Sequence, residues 1–193
     1  MCKLMRIVVL MLLLSVVPCS VFAATAAPQG PCRIIDPATC ADANQLARAS
    51  GFVTALGHFV GDSKVNYFRG NRSISEQAIS ALGGSAASVQ VLSLADKHYL
   101  FSACPARDCG GSAAAVIVNE YGQIEAVAFS SFHCDTACDD VRHLDFYVRK
   151  DGDNTPLIAA LKAWGTGDPL KSTVWRPEAD QGLDGRMDVH TLP

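Results

Sequence analysis

The stretch Tyr99-Leu-Phe-Ser-Ala-Cys104-Pro-Ala-Arg-Asp-Cys109-Gly-Gly-Ser-Ala-Ala-Ala-Val-Ile-Val118 reads as a strand, a loop bracketed by two cysteines, and a second strand. Ala113 to Val118 is apolar at every position, which is the pattern of a central strand buried on both faces. A disulfide between Cys104 and Cys109 would close a small ring, worth about 2 kcal/mol on the chain-entropy model. Its larger consequence is geometric. Pro105, Ala106, Arg107 and Asp108 would be held in one shape at a sheet rim. A pre-shaped projection loses little entropy on entering a partner's cleft.

Outward from this stretch the chain continues as helices and antiparallel strands. Upstream, Leu46, Ala49, Val53, Leu56 and Val60 recur at helical spacing from Ala41 onward, with Gly51 and Gly57 weakening the run. Tyr67-Phe68 is read as a buried plug in the loop that follows. Ser73-Ile-Ser-Glu76 fits a capping box, and Gly83-Gly84 should stop its helix. Ser88–Leu94 and Lys97–Ala103 form a predicted hairpin. Downstream, Ile124, Ala126 and Ala128 share one strand face. Leu144, Phe146 and Val148 alternate with His143, Asp145, Tyr147 and Arg149, which predicts a strand with one buried face. Pro156, Leu157, Leu161 and Trp164 belong to a final helix. The expected fold is α+β: an antiparallel sheet of about five strands with helices packed on one face. Residues 24–40 form an N-terminal extension, 41–169 one domain, and 170–193 a C-terminal tail without a clear period.

The 193-residue chain opens with Lys3 and Arg6, then an apolar run from Ile7 to Val17, then small residues. This predicts a cleavable secretory leader over 1–23, with cleavage as late as 26. The run is too short to span a hydrocarbon core of about 30 Å as a helix, so no membrane attachment is expected after cleavage. Loss of Lys3 and Arg6 lowers 16 basic side chains to 14 against 19 acidic ones, a net charge of −5. That argues against nucleic acid, which requires a basic footprint, and favours a cationic partner. Cys2 and Cys19 leave with the leader, and six cysteines remain. An even number in an exported chain predicts disulfides. Spacing favours Cys32 with Cys40, Cys104 with Cys109, and Cys134 with Cys138. Crossed pairing between the first and third pairs is the alternative.

The text Ser102-Ala103-Cys104, three residues, Asp108-Cys109-Gly110, followed by a small apolar strand, resembles the Ivy family, the periplasmic inhibitors of vertebrate (c-type) lysozyme. Weaker resemblance runs from about Phe52 to Pro169. The family loop reads Cys-Lys-Pro-His-Asp-Cys, and its His reaches the catalytic carboxylates of lysozyme. Here Pro105, Ala106 and Arg107 stand at the Lys, Pro and His positions. The resemblance implies a periplasmic, Gram-negative inhibitor, not an enzyme. It would plug a c-type lysozyme or a lysozyme-like muramidase with the loop Cys104–Cys109, and a homodimer is open to it. The alternative is a non-inhibitory, Ivy-like envelope protein that binds or regulates lytic transglycosylases.

Other chemistry is sparse. His133-Cys134, Cys138 and His143 have a spacing that loosely resembles a zinc site. In an oxidising compartment such close thiols pair instead, so no metal or other cofactor is expected. There is no Gly-x-Ser-x-Gly, no His-Glu-x-x-His and no phosphate loop, and no catalytic residue is assigned.

Overall fold

The computed structural model describes residues 30–105 and 109–193. The predicted leader lies outside the described residues. The Cys32–Cys40 disulfide pins the lead-in segment. The helical run predicted from Ala41 divides in two. Helix α1 (Ala43–Arg48) is capped by Asp42, whose side chain accepts from the Gln45 amide at 2.9 Å. Gly51, at a φ of 84°, then turns the chain into α2 (Phe52–Val60). The break rotates the buried face. Phe52, Leu56, Phe59 and Val60 point inward, whereas Val53, part of the predicted stripe, is 53% exposed.

Short strands β1 (Lys64–Val65) and β2 (Arg72–Ser73) pair antiparallel and bracket the predicted plug, with Tyr67 buried. Helix α3 (Ile74–Leu82) starts at the expected capping box. Ser73 Oγ accepts from the Glu76 amide at 3.1 Å, and Glu76 Oε2 accepts from the Ser73 amide at 3.0 Å. Ser73→Ala is expected to cost about 1 kcal/mol. The check is the midpoint of chemical denaturation at unchanged slope, and an unchanged midpoint would remove the cap from the account.

The main sheet runs β3 (Ser85–Ser93), β4 (Lys97–Cys104), β5 (Ala113–Asn119), β6 (Ile124–Ser131) and β7 (His143–Arg149), neighbours antiparallel in that order. The chain then forms α4 (Thr155–Thr166) and α5 (Asp168–Lys171), and two short 3-10 turns lead to β8 (Met187–Leu192). The α+β class stands, with two corrections. The sheet has six strands and is mixed, because β8 pairs parallel to β7. Helices also pack on both faces. A parallel neighbour requires a crossover connection, and α4 lies in that crossover, so it covers the face that α1–α3 leave open.

The core is therefore double. On one face, Leu46, Phe52, Leu56, Ile74 and Leu82 of α1–α3 pack on Phe101, Val116 and Phe129. On the other, Leu157 and Leu161 of α4 pack on Ile117, Ala128 and Phe146. Strand β5 is buried along its whole length because it faces both layers, and its alanines Ala113–Ala115 let them approach closely. Among the described residues no helix is long and apolar enough to cross a membrane.

Candidate partner-binding rim

The β4–β5 connection carries the bracketed loop, and Cys104 is bonded to Cys109. Cys104, the last residue of β4, is buried, while Pro105 and Cys109 are half-buried. Ala106, Arg107 and Asp108 lie outside the described residues. A second closed loop, Cys134–Cys138, follows β6 at the same rim. Between them lies a concavity of about 380 Å³ whose lining includes Phe68, Pro105, Cys109, Phe132, Cys138 and Trp175. All three disulfides follow the local pairing that spacing favours, not the crossed one.

The base of the loop is buttressed from both sides. The predicted tail is one buttress. The Gly111 amide donates to Thr173 Oγ1 at 3.0 Å, and its carbonyl accepts from Ser130 Oγ. Trp175 lies over Gly110 and is 75% exposed, a large apolar surface at the rim. Gly111 has a φ of 89°, and a Cβ there would meet Val174 at 3.0 Å and Arg142 at 3.3 Å, so only glycine fits. On the other side, a Cβ on Gly84 would come within 1.9 Å of the Cys104 carbonyl oxygen. Gly84→Ala is expected to force β3 from β4 at the loop base and to lower stability by about 1–3 kcal/mol. Thermal unfolding reads this directly, and an unshifted transition would show that the base yields freely.

A polar cluster borders the rim on the α1–α3 face, where the helical layer gives out over β7 and β8. Asp145 of β7 is buried, its carboxylate 2.8 Å from His133 Nε2 and 2.8 Å from His190 Nε2. Burial alone would raise the Asp145 pKa, but the two histidine hydrogen bonds outweigh it and pull it down to about 2. The same bond with Asp145 raises the His133 pKa against the effect of burial. The Tyr67 and Tyr147 hydroxyls hydrogen-bond each other beside this carboxylate, and burial raises both phenols, Tyr147 to about 12. Sequence alternation had placed Asp145 and Tyr147 on an open face. Tyr67 and the β8 residue His190 cover that face instead.

Arg142 precedes β7 and is fully buried. Its Nε and Nη2 each donate to Asp180 at 2.6 Å, and its Nη1 donates to Ser130 Oγ at 3.0 Å and to the Gly165 carbonyl at 2.8 Å. It joins the strand beneath the loop, the end of α4 and the C-terminal segment. In the sequence Arg142 does not stand out, and Val174 and Trp175 read only as apolar residues by which an irregular tail could pack. The nearest signal is the Gly110-Gly111 pair, which marks a close approach by something. No family model, curated protein or solved structure gives a significant match to this chain.

Proposed function

We propose that this chain is an exported inhibitor of lysozyme-type muramidases, of the Ivy kind, and that it plugs the target's active-site cleft with the loop Cys104–Cys109. The observation that carries the reading is the closed, buttressed loop. Cys104–Cys109 ties the end of β4 to the turn that leads into β5, and Gly111, Thr173 and Trp175 hold its base beside a second closed loop. A rigid base lowers the entropy lost when the tip is bound. Three disulfides are compatible with the oxidising periplasm. The acidic surplus attracts a basic lysozyme. Arg107, in the middle of the loop sequence, supplies a charged planar fork suited to a cleft that holds one protonated and one ionised carboxyl group.

The test is titration of the purified, oxidised protein into a c-type lysozyme acting on bacterial cell walls. Stoichiometric inhibition is expected. No inhibition at micromolar excess would overturn the reading. Binding to a lytic transglycosylase in a parallel titration would then identify the alternative partner.

A further inference from the structure

The four-residue zinc set suggested by spacing does not assemble, because Cys134 and Cys138 are bonded to each other. A different set does. One ligand atom each from His133, Asp139 and His143 lies within 4.8 Å of the others. The two imidazoles stack, with centroids 4.0 Å apart and planes inclined by 20°. His133 reaches this position through a left-handed backbone conformation with φ of 42°.

The hydrogen bonds fix which nitrogens are free. His133 Nε2 lies 2.8 Å from the buried, ionised Asp145, so Nε2 carries the proton of the neutral ring and Nδ1 keeps a lone pair. His133 Nδ1 is 4.0 Å from Asp139 Oδ2. His143 Nε2 is 3.2 Å from the same oxygen, but off the line a hydrogen bond needs, and it is buried without a hydrogen-bond partner. Ser131 Oγ is also buried without a partner, and Ser131 is the cross-strand pair of His143 on the same face. Among the described residues, these two are the buried side-chain polar atoms left unpaired. Unpaired buried polar groups are uncommon and call for an unseen partner.

We propose that His133, Asp139 and His143 bind one divalent transition-metal ion of the zinc class, with Asp145 orienting His133 from behind. Two imidazole nitrogens and one carboxylate select zinc, copper or nickel over magnesium and calcium. Asp145–His133 is the carboxylate–histidine arrangement that commonly supports a metal ligand. Metal–nitrogen distances of about 2.0–2.1 Å require the donors to draw together. Asp139 is half-exposed immediately after the loop closed by Cys134–Cys138 and has room to do so. Three protein ligands leave a fourth position for water. No thiolate is needed, so the site is compatible with an oxidising compartment. It is independent of the inhibitor reading.

The test is calorimetric titration of the chelator-treated, disulfide-intact protein with Zn²⁺ alone, repeated with Co²⁺ followed by its visible absorption. One ion per chain at micromolar affinity or tighter is expected, with a four-coordinate cobalt spectrum. His143→Ala and Asp139→Asn should each weaken binding by at least about tenfold. Asp139 is exposed enough that its variant will fold, as circular dichroism will verify. No binding to the native protein would overturn the proposal. So would binding that is unchanged in both variants.

Discussion

Replacing Arg142 with alanine is expected to destabilise the protein by about 3–5 kcal/mol, the loss typical of breaking a buried ion pair from one side. The guanidinium is fully buried and makes four hydrogen bonds, two of them to Asp180. Truncation strands the Asp180 carboxylate, whose side chain is only 13% exposed, and leaves the Gly165 carbonyl without that donor. It also opens a void against Gly111 and the loop base. Asp180→Ala should lose a comparable amount, since it leaves the charge on the buried side. Arg142→Met with Asp180→Leu should recover much of the loss, because well-packed apolar pairs replace buried ion pairs at little cost. Denaturation midpoints of the three variants decide this. If Arg142→Ala loses less than about 1 kcal/mol, the pair is not what anchors the C-terminal segment.

Arg142 also shows where the sequence stops being informative. Local rules read well: the Ser73–Glu76 box, the β3–β4 hairpin, the apolar run of β5 and the short cysteine spacings all depend on neighbours in the chain. What did not read were residues whose environment comes from far away. Arginine is ordinarily exposed, and nothing near Arg142 announces a partner 38 positions on. In Met187–Leu192 only Met187 and Val189 alternate with Asp188 and His190 before Thr191-Leu192 breaks the pattern, too short a signal to mark β8, an edge strand joined by parallel pairing. Without β8, α4 has no crossover to serve, and a single helical layer is the natural reading. The same omission left Asp145 facing water, when it is the buried acceptor of His133 and His190. At the rim, the loop and its closure were legible, and Val174 and Trp175 were readable as packing residues of the tail, but their place at the loop base was not, because that segment has no period to fix it.

On the proposed function, removing the loop disulfide with Cys104→Ser and Cys109→Ser together is expected to weaken lysozyme inhibition by at least about 100-fold, while stability falls by only about 2 kcal/mol. The two effects have different origins. The ring closes few residues, so its release gives the unfolded chain little extra freedom. In the folded protein, Cys104 stays the end of β4, and Gly111 stays held by Thr173 and Ser130, so the sheet should persist. The released residues 105–108 must then be reordered on binding, at roughly 1 kcal/mol or more each for the backbone alone. Inhibition should therefore fall much further than stability. Arg107→Ala separates the tip's chemistry from its rigidity. It should weaken inhibition far more than Lys97→Ala, since Lys97 opens β4 at the strand end opposite the loop, on the order of 20 Å away. Arg107→His, which introduces the residue the Ivy loop carries at this position, should preserve or strengthen the proposed inhibition. Equal, small losses in Arg107→Ala and Lys97→Ala would mean that the loop does not enter the cleft. Inhibition that survives the double serine variant would assign any remaining activity to the Trp175 side of the rim.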